Sequence, residues 1–563
     1  MHLIVGEQNR IEFSSLPLQE GLNCFGTVYG IVNSNYEVSE KQLPQGVSPT
    51  HIDGEGIFVL VRDGRFVWAA PDCSGVCDLF YGVLKDGKYI LGNDFFEILA
   101  SMKSTTLHQE NTKFFLRQGY FPPGATFFQE VFRVRVGMKF MLRAGRGFEE
   151  SAWTTGNQEA PRTYEAFQGA LRSALEVRKE KDVKEAIFLS AGVDSGLLAA
   201  LNRHAFHTYP LAVTVKYKQT LKINEIDAVG AQRIAEHLGL EHRILTLDFN
   251  EEHPSVLKDM VLRMPLAAHL SLAFLKMSKE AVQAGAMRVW CGQNADSVYN
   301  LGPTEKSLGG PAKRFYLSKE YWRSLSDIKD RSVFDFFYRR IGACGTLAFR
   351  LKRGFEVRQP HTFRELLHAF EESEEYIMLP PKAQKAEVAE SFLTYQEAKR
   401  LFFDRKAQSF LTGRDPRSVR HAAQQEGVHA FLPYSAANMM NFFRGLELGL
   451  RDVFQPKRYI YQYLQEVLGK KHYERLYRSP EKYLPRVPYL NWQEWQKHVL
   501  FGTIFWSELR KEVRGGDDLG ILGRTSGQLL NQESPYHIID LYWLQNVLRK
   551  VEELGVIIHN KSL

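Results

Sequence analysis

Glu185-Ala186-Ile187-Phe188-Leu189 followed by Ser190-Ala191-Gly192-Val193-Asp194-Ser195 decides the reading of this chain. Five residues that read as a buried strand give way to a run of small ones, and an apolar helix pattern starts at Gly196-Leu197-Leu198. Small side chains let backbone amides turn inward. Those amides, two serine hydroxyls and the positive end of the following helix together make a cradle for phosphate oxygens. Asp194 cannot attract phosphate itself, so its natural task is to hold a Mg²⁺ ion that does. The plainer alternative is a glycine-bearing turn at a strand end.

Outward from this loop the rhythm is strand, helix, strand. Leu211 to Val215 is a second apolar run, Ile226, Val229, Ile234 and Leu238 share one helix face, and Arg288-Val289-Trp290-Cys291 is a third run leading into Gly292-Gln293-Asn294-Ala295-Asp296. That alternation predicts a parallel α/β sheet. Beyond about 310 the chain reads as largely helical, with a polar, Glu- and Lys-rich stretch at 370 to 391. Residues 1 to about 150 differ, with short alternating runs such as Ile57 to Val61 and Arg65 to Ala70 separated by Asp63-Gly64 and Asp86-Gly87 turns. The segment around Thr155-Gly156-Asn157-Gln158 marks the crossing between the two regions.

A chain of 563 residues is too long for one core. Its net charge of +7 is the small difference between 72 basic and 65 acidic residues, which argues against a dedicated nucleic-acid surface. Five cysteines are too few for a disulfide scaffold, and Cys73 and Cys77 lack the second pair that a zinc site needs. The start, from Met1 to Glu7, has no basic region followed by a long apolar one, and no stretch reaches the roughly 18 apolar residues that span a bilayer. A soluble, cytoplasmic protein with no membrane partner is therefore expected.

The loop resembles the pyrophosphate loop of the ATP-pyrophosphatase superfamily, Ser-Gly-Gly-x-Asp-Ser, with Ala191 in place of one glycine. Its surroundings resemble those of asparagine synthetases. The resemblance implies ATP and Mg²⁺ as cofactors, with Ser190, Ala191, Gly192, Val193, Asp194 and Ser195 around the phosphates and Val213 on the strand that supports adenine. Gly292-Gln293-Asn294-Ala295-Asp296 resembles the family's Gly-x-Gly-x-Asp segment. It places Gly292 and Gln293 at the nucleotide and Asp296 beside Asp194 on the metal. Ser297 stands where asparagine synthetases carry a glutamate, as in β-lactam synthetases, which moves the resemblance toward enzymes that use an organic amine.

Gly427-Val428-His429-Ala430-Phe431-Leu432-Pro433-Tyr434 resembles the segment Val-Glu-Ala-Arg-Val-Pro-Phe-Leu, which would make His429 a catalytic base facing the acyl adenylate. A histidine satisfied in the core is the alternative. Lys457 matches a nucleotide-binding lysine before the last helix, and Lys482 a catalytic lysine that stabilises developing charge.

Residues 53 to 141 resemble a glutaminase-like domain, including Asp53-Gly54-Glu55-Gly56, Ala70-Pro71-Asp72 and Phe121-Pro122-Pro123-Gly124. Such a glutaminase needs cysteine as its first residue, and His2 occupies that place. Processing to expose Cys24 is the alternative, although its flanks read as a strand.

The fold expected is thus an amino-terminal β-rich αββα sandwich of the Ntn-hydrolase type over 1–155. A parallel α/β ATP-pyrophosphatase domain with a helical carboxy-terminal part follows over 160–563, with an insertion at about 300–400. The function implied is an ATP-dependent ligase that adenylates a small-molecule or peptide carboxylate, couples it to an amine and draws no ammonia from glutamine, as in natural-product or peptide biosynthesis. Lasso-peptide cyclases are relatives in this sense. An RNA-modifying enzyme of the same superfamily and a non-catalytic scaffold are the competing readings. Residues 300 to 400 and 500 to 563 are expected to shape an acceptor site or an interface with a second copy or a biosynthetic partner.

Overall fold

A computed structural model describes residues 2–5, 10–15, 18, 21–31, 52–152 (except 73, 122, 123 and 144–146), 163–295 (except 181, 220 and 221), 298, 413–446, 457–478, 499–515 and 535–559. The insertion expected at about 300–400 lies outside these residues, as do Asp296 and Lys482.

The amino-terminal strands are β1 (His2–Val5), β2 (Ile11–Ser14), β3 (Gly21–Ile31), β4 (Ile52–Arg62), β5 (Arg65–Pro71), β6 (Phe80–Val83), β7 (Tyr89–Gly92), β8 (Ser104–Thr106), β9 (Val131–Arg133), β10 (Met138–Arg143) and β11 (Gly147–Ala152). Two antiparallel sheets form, ordered β2-β1-β7-β6-β9 and β11-β10-β5-β4-β3. Alternation assigns the faces: Ile57, Val59 and Val61 of β4 join Leu3, Tyr81, Leu91 and Phe140 in the core between the sheets, while Phe58 points the other way, toward Trp68 and Ala70. Asp63 and Gly64 both take positive φ, 51° and 66°, which is the two-residue hairpin that an Asp-Gly pair favours and which fixes the β4–β5 register. Helix α1 (Phe95–Met102) lies against the first sheet, α2 (Gln109–Gln118) contributes Phe115 and Leu116 to the same core, and Asp94 caps α1 by accepting from the Phe96 and Glu97 amides.

The second region comprises α3 (Tyr164–Glu176), β12 (Glu185–Phe188), α4 (Val193–His204), β13 (Leu211–Tyr217), α5 (Lys222–Leu238), β14 (His242–Leu247), α6 (Lys258–Arg263), α7 (Leu272–Gln283), β15 (Arg288–Cys291), α8 (Arg414–Gln425) and β16 (His429–Phe431). Its sheet is parallel throughout, ordered β14-β13-β12-β15-β16. Ile187, Leu189, Ala212 and Trp290 bury one face against α3, α4 and α5, while Ala186, Phe188, Val213 and Val289 bury the other against α7 and α8. Strand order reverses between β12 and β15, and in open α/β sheets ligands bind at the carboxyl ends of the strands at such a switch point.

The chain continues with α9 (Ala437–Gly445), α10 (Arg458–Leu468), α11 (Lys470–Tyr473), a π-helical turn (Glu474–Arg478), α12 (Ile504–Gly515), α13 (Pro535–Glu553) and β17 (Ile557–His559). The last of these return to the amino-terminal region. Strand β17 pairs in parallel with β8, and Trp543, Leu544 and Val547 of α13 share a core with Phe115 and Leu116 of α2. The described part of 500 to 563 therefore serves as core shared by the amino-terminal region and by residues 249–266 of the second region, with the Tyr542 hydroxyl donating to the Pro254 carbonyl at 3.1 Å and the Trp543 ring nitrogen to the Met264 carbonyl at 3.0 Å. No helix among the described residues is long and apolar enough to cross a membrane.

Helix α8 joins the two regions by charge. Arg414, Arg417 and Arg420 recur every three residues along one side of the helix, Arg417 and Arg420 buried and Arg414 half-buried. Both Nη atoms of Arg417 donate to the Asp78 carboxylate at 2.5 Å, Arg420 donates to the Ser74 carbonyl at 3.3 Å, and Arg414 meets Asp540 of α13 at 3.3 Å. Burial pushes the Asp540 carboxyl up to about 7 despite Arg414. A raised folded-state value means that this group's contribution to stability is fully present below the unfolded carboxyl's pKa of about 4 and is lost as pH rises through about 7. Urea unfolding at pH 5 and pH 8 should therefore show a larger loss of stability in the native protein than in Asp540→Asn; equal losses would remove Asp540 as the source.

Candidate active site

The loop is held from below before any side chain is aimed. Strand β12 is buried along its length, the Leu189 amide donates to the Val213 carbonyl at 3.0 Å, and the Thr214 hydroxyl donates to the Leu189 carbonyl at 2.7 Å. Helix α4 then starts at Val193, three residues earlier than the apolar pattern suggested. Gly192 is its N-cap and supplies no side-chain cap. The Ser190 and Ser195 hydroxyls lie 2.9 Å apart, the Ser190 amide donates to the Ser195 hydroxyl at 3.1 Å, and the Gly192 amide donates to the Ser190 hydroxyl at 3.1 Å. The loop's serines thus close it on itself at the positive end of a 12-residue helix.

The neighbouring strand completes the floor. A Cβ at Gly292 would lie 2.8 Å from the Ser195 nitrogen and 3.2 Å from the Asp194 carbonyl carbon, so only glycine lets the exit of β15 approach the first turn of α4. Gln293 follows in the turn, and Asn294 takes φ 72° with its amide nitrogen donating to the Ser435 hydroxyl at 2.8 Å. Asparagine tolerates this left-handed conformation, so the replacement of a glycine there leaves the backbone path intact.

Asp194 sits in the first turn of α4, and Lys457 Nζ donates to its carboxylate at 2.5 Å. Lys457 itself occupies the left-handed region at the N-cap of α10, φ 65°. The Tyr434 hydroxyl donates to the Asp194 carbonyl at 3.1 Å, and burial, reinforced by the Asp194 charge, holds that phenol protonated. Tyr477 lies close by, since a Cβ at Gly196 would come within 2.0 Å of its hydroxyl.

Ser190 to Ser195, Gly292, Gln293 and Lys457 are therefore brought together at one end of the sheet. Asp296 and Lys482 lie outside the described residues. Val213 lies on β13 next to the loop's strand, with its side chain fully buried against the α7 face. His429 needs correction as a base facing the adenylate. It opens β16 level with Arg288, four residues before Gly292 on the next strand, on the order of 13 Å from the loop end of the sheet at roughly 3.3 Å per residue. There its Nε2 meets Glu55 of β4 at 2.8 Å. Burial alone would raise the Glu55 carboxyl, but the His429 hydrogen bond and the Arg420 and Arg178 charges bring it below the ordinary range. This pair is part of the seam between the regions. The sequence reading missed Tyr434, which donates to the Asp194 carbonyl from far along the chain, Tyr477, which packs over Gly196 of α4, and Asp227 of α5, which accepts from the Ala191 amide at 2.8 Å.

The sheet order, with a serine- and glycine-lined loop at its switch point, defines a doubly wound α/β protein. A family model described as asparagine synthase matches residues 166–447, half of the chain, and the chain belongs to that family. It is 22% identical over 254 residues to "Asparagine synthetase [glutamine-hydrolyzing] 1" of Bacillus subtilis (strain 168), covering 43% of this chain and 39% of that protein. The chain thus spans about two fifths of the length of the curated relative it matches. Among solved structures, the U34-tRNA thiolase NcsA from Methanococcus maripaludis with its 4Fe-4S cluster overlaps at a TM-score of 0.20 and 15% identity, over 42% of this chain and 84% of that one, too slight an overlap to argue from.

Proposed function

We propose that this protein is an ATP-dependent carbon–nitrogen ligase that adenylates a substrate carboxylate and passes the acyl group to an amine. The single observation that carries the reading is the pairing of Asp194 with Lys457 at the open end of α4, where a carboxylate and an ammonium flank a serine-lined loop. The donor set fits a magnesium-bound triphosphate, because a hard cation takes carboxylate oxygen and phosphate oxygens take hydroxyl, ammonium and amide donors. Asp194, with Asp296 as its proposed companion, would hold the ion, which when bound neutralises charge on the departing pyrophosphate.

Ser190, Ser195 and the first turn of α4 bind and orient the β- and γ-phosphates, with Lys457 adding positive charge beside them. A carboxylate oxygen of the acid attacks the α-phosphorus, and the bond to pyrophosphate breaks. The amine nitrogen then attacks the acyl carbon, the bond to AMP breaks, and the amine gives up a proton. Lys482 is the proposed stabiliser of the charge that develops on the carbonyl oxygen.

The amine is not drawn from glutamine in this reading, and the amino-terminal sandwich is a glutaminase-like fold in a non-hydrolytic role. Cys24 lies within β3 opposite Phe58, and burial, with a further push from Asp72, raises its thiol to about 12. Cys77 and Cys291 are likewise raised by burial. Such thiols stay protonated at neutral pH and are poor nucleophiles.

Chromatographic analysis of nucleotides after incubation with Mg-ATP, a panel of amino acids and small peptides, and either an amine or glutamine tests this directly. AMP and pyrophosphate should form in equal amounts with the acid and amine, and glutamine should yield no glutamate. Formation of ADP and phosphate, or glutamate release from glutamine, would contradict the proposal.

A further inference from the structure

We infer that helix α5 sets the shape of the loop by gripping Ala191 at two points, with Asp227 as a positioning residue and Gly230 as the gap that admits the Ala191 methyl. The Asp227 carboxylate accepts from the Ala191 amide at 2.8 Å. One helical turn further on, a Cβ at Gly230 would lie 2.4 Å from the Ala191 Cβ and 3.5 Å from its Cα. Ala191 is buried, and residues three apart on a helix share a face, so amide and methyl are both held by the same face of α5.

Two consequences follow. An alanine in place of glycine narrows the conformations open to the loop in the unfolded and folded chain alike, provided its methyl has room; Gly230 supplies that room. A fixed Ala191 also fixes its neighbours, since the Ser190 hydroxyl accepts from the Gly192 amide and Gly192 is the N-cap of α4. The donors that would meet a triphosphate are then in place before it arrives, which removes an ordering cost from binding. What Asp227 supplies toward Ala191 is a hydrogen-bond acceptor, and a neutral amide oxygen in the same place can accept equally.

The part of this inference that concerns nucleotide rests on the ligase reading. The test therefore has two arms: amide hydrogen exchange across 189–195 without nucleotide, and calorimetric titration with Mg-ATP. Asp227→Ala should speed exchange of the Ala191 amide and weaken Mg-ATP binding, each about tenfold, the size of one hydrogen bond of about 1.4 kcal/mol. Asp227→Asn should restore most of both. Gly230→Ala should produce the same loss as Asp227→Ala, and adding Ala191→Gly should reverse it, because the extra methyl then has space again. Unchanged exchange in Asp227→Ala, or a Gly230→Ala defect that Ala191→Gly does not relieve, would overturn the inference. Absence of Mg-ATP binding by the unaltered protein would count against the ligase reading instead, and the exchange pattern would still decide whether α5 grips the loop.

Discussion

Asp194→Ala should lower ATP-dependent pyrophosphate release by at least about 10³-fold. Removing a single preorganised electrostatic contact to a developing charge costs roughly 10² to 10³ in rate, and Asp194 is both the proposed metal ligand and the partner that aims Lys457. The alanine variant also leaves a largely buried ammonium without its carboxylate, so lost activity could follow from local disorder. Asp194→Asn separates the two effects. An asparagine oxygen still accepts from Lys457 Nζ, and the Tyr434 hydroxyl still donates to the residue's main-chain carbonyl, but the metal-binding charge is gone. Both variants should be inactive, and only the alanine form should show a lowered unfolding midpoint. Pyrophosphate release within a few-fold of the native rate in the asparagine variant would remove Asp194 from the chemistry.

Asp78→Ala should cost on the order of 3–5 kcal/mol in stability, the amount typical of breaking a buried ion pair from one side. Asp78 accepts from both Nη atoms of Arg417 and lies 3.8 Å from Arg133, and both arginines are buried. Burial by itself would raise the Asp78 carboxyl, but the two guanidinium charges hold it below the ordinary range. The stability that this carboxylate supplies is therefore present above the unfolded pKa of about 4 and is lost as pH falls through its lower folded value. Replacing both partners, as in Asp78→Leu with Arg417→Met, removes the charge together with its counter-charge and should recover much of the loss. Denaturant unfolding of the two single variants and the double variant measures the coupling. A double variant as unstable as the sum of the singles would show that the pair does not act as a unit. Because α8 runs directly into β16, where His429 meets Glu55, the same seam fixes the edge of the parallel sheet against the amino-terminal sandwich.

What could be read from sequence was what depends on neighbours along the chain. The strand before Ser190, the small residues of the loop and the Asp63-Gly64 hairpin each follow from local periodicity or backbone freedom, and α5 ends at Leu238 before Gly239 as its composition suggests. Long-range pairing was not legible. Lys457 reaches Asp194 across 263 positions; the family resemblance assigned both to the nucleotide, but local pattern alone does not pair them. Arg414, Arg417 and Arg420 look like an ordinary solvated helix face until Asp540 and Asp78 are brought to them by the fold. His429 shows the opposite failure. Its chemistry suits a base, but strand register places it at the start of β16, away from the loop end of the sheet. The carboxy-terminal helix gave no sign that its apolar face would pack on α2 at the other end of the chain.

The most direct measurement is a structure of the protein with Mg²⁺ and α,β-methylene-ATP. The β- and γ-phosphates should lie against Ser190, Ser195 and the first turn of α4, with an Asp194 oxygen about 2.1 Å from the metal. Nucleotide bound elsewhere, or a metal that Asp194 does not touch, would contradict the assignment of this loop.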